Sequence, residues 1–388
     1  MKIRNGFVIV LAICLVLALA APVSAQGGFV AVHRSGNLLR VNGALVDCDK
    51  YNIGDYNYFN LRDLAAMLDG TKAQFDVDYN AVSRRIVVRT GQPYTHRAES
   101  DLAVGTNQYA LGRASTQSLV VDGVERTGIS AYYIRLYGKE DGNNYFKLRD
   151  LAPILGFDVG YDTETNAATV EATPLSTLAA VRLAKTEDAG RDYLNRITFL
   201  GDSTTYGIGY YYRLGYTELC PATQVWTPKS GTLTLDRWSI EKIVYPTTGE
   251  EITITEAVRR AKPEYLLVTL GVNGISFMAE DAFTREYTAL VRAIQETSPG
   301  TKIILNSIYP VAPSWKYQGD INNTKIRAAN EWIEQIAADT GCRFLYSFEC
   351  VVGADGNLPE SSHNGDGLHL NGETFGVVMK YIRTHKCP

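Results

Sequence analysis

A nine-residue segment that occurs twice is the feature that most constrains how this chain can fold. Residues 57–65 read NYFNLRDLA and return as NYFKLRDLA at residues 144–152, so that eight of nine positions match at an offset of 87. A Phe-Asp-Val element and a second β-rich stretch follow each copy. This order predicts a strand, a short helix and a hairpin in each copy. We therefore predict an α+β module of two repeats over residues 27–172.

The repeated Leu-Arg-Asp-Leu-Ala segment followed by a Phe-x-Val strand resembles the copper amine oxidase N-terminal-like (stalk) module of exported bacterial proteins. The resemblance covers roughly residues 38–172. It implies a spacer or a contact with the cell wall. Despite the family name we expect no copper, because His33 and His96 do not form a pair at metal-ligand spacing.

The first 25 residues have the three parts of an export signal. Lys2 and Arg4 precede an apolar run of 15 residues, and Val23-Ser24-Ala25 supplies a small-x-small cleavage site. A retained membrane anchor is the alternative, but the run is shorter than the ~20 residues that span a bilayer. We predict a signal peptide over residues 1–25 and a mature protein that is secreted or associated with the cell surface, without a stable membrane span.

Charge and cysteine usage narrow the classes of partner. The formal net charge of the 388 residues is −4 and no basic stripe is present, so nucleic acid is not an expected partner. The odd number of cysteines outside the signal peptide requires a free thiol or an intermolecular bond, and no C-x-x-C motif suggests zinc or redox chemistry. The sequence does not fix the pairing among these cysteines: Cys48, Cys220, Cys342, Cys350 and Cys387.

After an Ala-rich segment at residues 173–194, which predicts a linking helix, short apolar runs alternate with helical periodicities. We predict strands at residues 197–200, 265–270, 302–306 and 343–348, and helices at residues 280–297, 323–340 and 373–385. This alternation predicts an α/β domain over residues 195–388, with a flavodoxin-like parallel sheet flanked by helices. Ligands of such sheets bind beyond the carboxyl ends of the strands.

Three motifs follow predicted strands or precede the last helix. Gly201-Asp202-Ser203 exposes a serine after the first strand, although such residues also cap helices. Asn273 follows the next strand, where asparagine beside glycine is also typical of a turn. Asp366 and His369 can place a carboxylate against one imidazole nitrogen while the other nitrogen points outward. The three motifs together predict nucleophilic catalysis, although each alone is weak.

Residues 195–388 resemble the SGNH/GDSL hydrolase superfamily of esterases and lipases. The resemblance implies the SGNH fold, with Ser203 as nucleophile, His369 as general base and acid, and Asp366 orienting His369. It also implies an oxyanion hole made by the Ser203 N–H, the N–H of a second-block glycine and the Asn273 side-chain amide. Gly231 is our candidate for that glycine. Gly274 departs from the family, which has Asp at this position.

We therefore expect a secreted serine esterase without a cofactor or a metal. Its expected substrate is a small acyl ester or an acylated glycan, such as an acetylated polysaccharide. A lysophospholipase-type lipase is one alternative, but no apolar insertion builds a long acyl channel. A catalytically silent surface-binding protein is the other. The aromatic residues near the motifs suit either a sugar-stacking rim or a core: Tyr210, Tyr211, Tyr212, Trp226 and Trp238.

Overall fold

The computed structural model describes residues 28–95, 98, 100–105 and 109–388. The predicted signal peptide at residues 1–25 lies outside the described residues. The chain divides into two compact units, Met1–Ala172 and Thr173–Pro388. No helix within the described ranges is both long and apolar enough to cross a membrane.

The described part of the first unit is mostly β-structure. Its elements in chain order are β1 (Val30–Arg34), β2 (Leu38–Val41), β3 (Ala44–Val46), β4 (Lys50–Ile53), β5 (Tyr56–Asn60), α1 (Leu61–Leu68), β6 (Phe75–Asn80), β7 (Arg85–Thr90), β8 (Tyr109–Ala114), β9 (Ser118–Val121), β10 (Val124–Arg126), β11 (Ala131–Leu136), β12 (Gly142–Lys147), α2 (Leu148–Leu155), β13 (Asp158–Asp162) and β14 (Ala167–Glu171). Six of these strands close into a barrel in the order β1-β4-β5-β12-β11-β8, and the other strands form two four-stranded sheets.

The two matching nine-residue segments occupy corresponding positions in this barrel. They begin in β5 and β12, which pair antiparallel with Phe59 opposite Phe146, the same position of the two copies. Each segment then enters a helix whose apolar residues follow the i, i+3, i+4, i+7 pattern that buries one helical face. In α1 these residues are Leu61, Leu64, Ala65 and Leu68, and in α2 they are Leu148, Leu151, Ala152 and Leu155.

The second unit alternates strands and helices. Its elements are α3 (Leu175–Val181), α4 (Gly190–Leu194), β15 (Ile197–Gly201), α5 (Ser203–Arg213), β16 (Val225–Trp226), β17 (Lys242–Val244), β18 (Glu251–Thr253), α6 (Ile254–Ala261), β19 (Tyr265–Thr269), α7 (Glu280–Thr297), β20 (Lys302–Asn306), α8 (Asn323–Thr340), β21 (Arg343–Leu345), α9 (Phe348–Val351) and α10 (Gly372–Arg383).

A five-stranded parallel sheet organises the second unit. Its order is β16-β15-β19-β20-β21, which is the doubly wound order 2-1-3-4-5 of flavodoxin-like folds. The central strand β19 is buried along its whole length, as expected for a strand covered on both faces. The chain reverses its winding direction between β15 and β19, so a crevice is expected beyond the carboxyl ends of these two strands.

Residues 173–194 do not form the single linking helix that their composition predicts. Two short helices, α3 and α4, are separated by an extended segment that belongs to the second unit. In that segment the Leu183 N–H donates to the Phe344 carbonyl at 2.8 Å. The Arg182 guanidinium donates to both carboxylate oxygens of Glu334 at 2.7 Å. These tertiary partners hold the chain extended beside β21 and override the local helical tendency.

All five described cysteines are free thiols. Four of them are buried, and Cys350 is half-buried. Burial raises the pKa of the Cys48 and Cys220 thiols to about 12, which keeps them protonated and unreactive near neutral pH. The sequence left the disulfide pairing open, and the structure shows no disulfide among these five described cysteines.

Candidate active site

Ser203 lies at the junction between β15 and α5. Asp202 caps the helix, because its carboxylate accepts from the Thr204 backbone N–H at 3.0 Å and from the Thr204 hydroxyl at 2.7 Å. Gly201 lets the strand approach β19 closely, since a Cβ at this position would lie 2.6 Å from the Thr269 carbonyl oxygen. Ser203 thus becomes the first residue of the helix, where backbone N–H groups have no intrahelical partner and can face an anion.

The cap itself is an unusual environment for a carboxyl group. Asp202 is completely buried. Burial raises the pKa of its carboxyl to about 6, although the two hydrogen bonds from Thr204 and the nearby His369 act in the opposite direction. Because burial disfavours the charged form, this group exchanges a proton at a much higher pH than an exposed aspartate.

The structure brings Ser203, His369 and Asp366 into one hydrogen-bonded series. His369 Nε2 lies 2.8 Å from Ser203 Oγ, and His369 Nδ1 lies 2.6 Å from Asp366 Oδ2. An ionised carboxylate can only accept, so Nδ1 is the donor to Asp366 and Nε2 is left to accept from the serine hydroxyl. This arrangement can take a proton from Ser203 and so generate an oxygen nucleophile.

Asp366 is held in place by its own loop. Its Oδ1 accepts from the backbone N–H groups of Leu368 and His369 at 2.8 and 2.9 Å. Partial burial alone would raise the pKa of this carboxyl. The hydrogen bonds from the His369 ring and from these two N–H groups outweigh burial and hold the pKa below its ordinary value. Asp366 therefore stays ionised and fixes both the tautomer and the orientation of His369.

A second carboxylate–histidine pair, Glu360 and His363, supports the same loop, and our sequence analysis did not connect these two residues. His363 Nδ1 accepts from the backbone N–H groups of Gly365 and Gly367 at 2.9 and 3.1 Å. Its Nε2 donates to Glu360 Oε2 at 2.9 Å, and the Ser314 hydroxyl donates to the same oxygen at 2.6 Å. The imidazole is thereby enclosed by the loop that carries the Asp366 and His369 side chains. The Glu-x-x-His spacing, identical to Asp-x-x-His, was the available sequence signal.

Asn273 lies beside Asp202, at the end of the loop that follows β19. Its Nδ2 donates to the Leu233 carbonyl at 3.2 Å and to Asp202 Oδ2 at 3.4 Å. Both distances are long for N–H···O hydrogen bonds, so these interactions are weak. Asn273 thus lies next to Asp202, which precedes Ser203. Its side-chain amide donates only weak hydrogen bonds within the protein.

Gly231 also lies beside Ser203, but its N–H is already used. A Cβ at Gly231 would lie 3.7 Å from Ser203 Cβ, and its φ of +75° is in the left-handed region. The Gly231 N–H donates to the Pro228 carbonyl at 2.9 Å, which closes a turn. In this structure the Gly231 N–H is therefore occupied by the turn and is not free to meet an oxyanion, as the sequence-based assignment requires. The Pro-x-x-Gly pattern was a turn signal, because glycine is favoured at the last position of type I turns.

An open cleft of about 510 Å³ lies beside Ser203 and His369. Aromatic side chains from α5 and α10 form much of its wall, and Asn364 lines it from the loop that carries His369. Of the aromatic residues singled out in the sequence, Tyr210 and Tyr211 line the cleft, whereas Trp226 is buried in the core. Tyr211 and Tyr212 are half-buried against one core cluster and Trp238 against another.

No group of three or more His, Cys, Asp or Glu side chains within the described residues is arranged to hold a metal ion. The chemistry that these residues can perform themselves is acyl transfer through a serine oxygen. A parallel α/β sheet with this hydroxyl–imidazole–carboxylate series at its carboxyl edge defines the class of serine hydrolases.

Comparison with known families agrees with that class. Residues 199–374 match the GDSL-like Lipase/Acylhydrolase family, so this part of the chain is a GDSL-type domain and the protein is a serine hydrolase that acts on ester bonds. The comparison with curated proteins found no match.

Solved structures similar to this chain include a GDSL-like lipase from Bacteroides thetaiotaomicron, at 20% identity over 54% of this chain and 93% of that chain, with a TM-score of 0.36. A lipase/acylhydrolase from Enterococcus faecalis is 15% identical over 50% of this chain and 98% of that chain, with a TM-score of 0.33. A mutant of an acetyl-xylooligosaccharide esterase from Geobacillus is 18% identical over 53% of this chain and 97% of that chain, with a TM-score of 0.33.

Proposed function

We propose that this protein is a secreted serine esterase that removes small acyl groups, such as acetyl, from an acylated glycan through an acyl-enzyme. The observation that carries the catalytic part is the continuous series from Asp366 through His369 to Ser203, with contacts of 2.6 and 2.8 Å. In this proposal Ser203 is the nucleophile, His369 the general base and acid, and Asp366 the group that orients His369.

In the first half of the reaction, Ser203 Oγ attacks the ester carbonyl carbon while its proton moves to His369 Nε2. The carbonyl electron pair moves to oxygen and forms a tetrahedral oxyanion. When this intermediate collapses, the carbon–oxygen bond to the alcohol breaks and the alcohol oxygen takes the proton from Nε2. In the second half, water attacks the acyl-enzyme and gives a proton to Nε2. Collapse then expels Ser203 Oγ, which recovers that proton, and releases the carboxylic acid.

Two donors can stabilise the oxyanion. The Ser203 N–H opens a helix and has no intrahelical acceptor. The Asn273 amide has only two weak acceptors, at 3.2 and 3.4 Å, which a charged oxygen can replace because hydrogen bonds to charged groups are stronger. The Gly231 N–H is left out of this assignment because it closes the turn with Pro228.

The substrate part of the proposal has separate support. The cleft beside Ser203 is open and is lined by exposed tyrosines, whereas a long acyl chain requires an enclosed apolar channel. Activity on nitrophenyl esters from acetate to palmitate tests it. We expect turnover to be highest for acetate, to vanish in Ser203→Ala and to survive in Ser239→Ala, an exposed serine of the same unit. Preference for long chains would favour the lipase alternative, and full activity of Ser203→Ala would exclude Ser203 as nucleophile.

Export is proposed from the sequence of residues 1–25, and contact with the cell wall from the resemblance of residues 38–172 to stalk modules. Mass spectrometry of the protein from culture medium tests the first proposal, with Gln26 expected as the mature N-terminus. Sedimentation of residues 28–172 with purified cell walls tests the second. An uncleaved N-terminus, or no binding to cell walls, would contradict the respective proposal.

A further inference from the structure

Two tyrosines of α5 project from the same helical face as Ser203. Tyr206 and Tyr210 follow the serine by three and seven residues, the spacing at which side chains lie in one row along a helix. Both line the cleft that contains Ser203 and His369. The row therefore starts at the proposed nucleophile and extends along one wall of the cleft.

These two rings face solvent. Tyr206 is 47% exposed and Tyr210 is 43% exposed, whereas the rest of the helix buries Thr204, Thr205, Ile208 and Gly209. The two rings are stacked, with centroids 6.2 Å apart and an angle of 28° between their planes. Tyr211 packs edge-on against Tyr210 at 5.1 Å and against Tyr216 at 5.6 Å, and so supports the pair from the core side.

A second cavity also has Tyr206 in its wall. It has a volume of about 400 Å³, and its other lining residues include Gly209, Arg213, Pro228 and Val244. The Arg213 Nη2 lies 3.4 Å from the Tyr206 hydroxyl. Tyr206 thus lines both cavities, and we call the two together the groove.

We propose that Tyr206 and Tyr210 form a sugar-binding platform that stacks against a pyranose ring of an acylated oligosaccharide and presents the acyl group to Ser203. A pyranose has a face of C–H groups that matches an aromatic face, and hydroxyl groups at its edge that require polar partners. The groove offers both, since phenolic hydroxyls, Asn364 and Arg213 lie around the two rings. An acyl chain would match the ring faces but would make no hydrogen bonds with these polar groups. This assignment depends on the proposed esterase function and adds the residues that would bind the sugar.

Steady-state kinetics of platform variants tests the assignment. The variants are Tyr206→Ala, Tyr210→Ala, the two corresponding Phe variants, and Tyr79→Ala as a control on β6 with a tyrosine that is 49% exposed. The substrates are nitrophenyl acetate, which has no sugar, and acetylated xylo-oligosaccharides. For the oligosaccharides we expect each Ala variant to raise KM roughly three- to tenfold, the effect expected for losing one aromatic stacking interaction. The Phe variants keep the ring faces and lose only the hydroxyls, so they should raise KM less than the Ala variants, and Tyr79→Ala should keep the wild-type KM. Because both tyrosines line the cleft, KM for nitrophenyl acetate is expected to change by a smaller factor than KM for the oligosaccharides.

Every other outcome contradicts either the platform assignment or the proposed function, as follows. If the Ala variants leave the oligosaccharide KM unchanged, the platform assignment is wrong and the proposed function stands. If the wild type hydrolyses nitrophenyl acetate but no acetylated oligosaccharide, the platform and the glycan substrate are both wrong, and only the serine esterase part of the proposal stands. If the Ala variants impair both substrates equally, the tyrosines shape the site and do not bind sugar. If the wild type hydrolyses neither substrate, the proposed function fails as well. Melting temperatures of all variants identify any that have not folded.

Discussion

At the residue scale, two histidines with the same sequence spacing from a carboxylate have different hydrogen-bond partners and therefore different tasks. His369 uses Nδ1 to bind Asp366 and directs Nε2 at Ser203. His363 uses Nε2 to bind Glu360, and its Nδ1 accepts two backbone N–H groups of the loop. The first imidazole can exchange a proton with a substrate, whereas the second holds the loop that orients the first. The partners of each ring nitrogen, and not the motif, decide this difference.

His363→Ala is expected to lower kcat for nitrophenyl acetate by up to about a hundredfold, because the loop loses its internal acceptor and small displacements of catalytic groups are costly. Without the imidazole, the N–H groups of Gly365 and Gly367 lose their partner. His363→Asn should recover most of the rate, since the Asn Oδ1 can accept near the position of Nδ1. The measurement is kcat together with the melting temperature. Wild-type kcat in His363→Ala, or equal kcat in both variants, would show that the acceptor does not position the loop.

The buried Asp202 carboxyl predicts a pH-dependent stability. Its pKa is raised to about 6 in the folded protein from an ordinary value of 3.8. The folded state therefore binds this proton more tightly than the unfolded state, and the associated stability is present below about pH 4 and lost as pH rises through 6. The shift corresponds to about 3 kcal/mol at 1.36 kcal/mol per pKa unit.

Asp202→Asn cannot titrate, so it isolates this effect. Between pH 4 and pH 7, we expect the free energy of unfolding of the wild type to fall relative to that of the variant by about 2 kcal/mol, since part of the effect is already lost at pH 4. Urea denaturation of both proteins at pH 4, 5, 6 and 7 measures the difference, in which the other titrating groups largely cancel. A difference that does not change with pH would mean that the Asp202 pKa is not raised.

Asn273→Ala is expected to lower kcat by about 10²–10³ with little change in KM, because its amide is assigned to charge that exists only in the tetrahedral intermediate. The exposed Asn195 provides a control variant, Asn195→Ala, which should keep both constants. The measurements are kcat, KM and the melting temperature of the same preparations. A lowered melting temperature with normal kcat would assign Asn273 to the turn after β19 and remove it from the mechanism.

At the element scale, the helices and strands with a long and regular apolar pattern could be predicted from the sequence, and the short ones could not. The helices predicted at residues 280–297 and 323–340 coincide with α7 and α8, since long amphipathic segments determine their own structure. The two-residue strand β16 was missed because two residues carry no periodicity. The strand predicted at residues 343–348 ends at Leu345, and its last residue begins the short helix α9. These short elements depend on tertiary partners that a local pattern does not contain.

The candidate site also has one part that the sequence predicts and another that it does not. The motifs placed Ser203, Asn273, Asp366 and His369 at strand ends or on a loop, and the parallel sheet brings these ends to one edge. Spacing could indicate the Pro228–Gly231 turn and the Glu360–His363 pair, but it could not show which backbone N–H groups the His363 Nδ1 accepts from. Those donors depend on how the 363–369 loop folds. Sequence thus predicts which side chains are available, and the loop backbone decides which donors remain free.

The close contact of β15 with β19 at Gly201 predicts an element-scale effect. A Cβ at Gly201 would lie 2.0 Å from Thr205 Oγ1 and 2.6 Å from the Thr269 carbonyl oxygen, so Gly201→Ala must displace the Thr205 side chain and the backbone where β15 meets β19. We expect a loss of about 1–3 kcal/mol in unfolding free energy, as for overpacked cores. Gly300→Ala is the matched control, because no atom lies within 4 Å of a Cβ there and its φ is outside the left-handed region. Equal stability of the two variants in thermal unfolding would contradict this packing argument.

At the scale of the whole molecule, each unit has its own apolar core. The core clusters of the first unit contain only residues of that unit. Those of the second unit surround the parallel sheet and include α3 to α10 side chains, with Leu183 and Leu194 drawn from the 173–194 segment. Because hydrophobic burial is the dominant favourable term in folding, a unit that buries its own apolar residues is expected to fold independently.

Removal of the first unit is therefore expected to leave the hydrolase intact. Residues 173–388 contain Ser203, Asn273, Asp366 and His369 and the core clusters around their sheet. We expect this fragment to be soluble, to unfold cooperatively and to hydrolyse nitrophenyl acetate with kcat/KM close to that of the protein from residue 28 onwards. Cutting at residue 195 is the matched control, and it should destabilise the fragment because it removes Leu183 and the Arg182–Glu334 ion pair. A 173–388 fragment that is folded but inactive would show that the first unit contributes to the site, and one that fails to fold would show that its core is not sufficient.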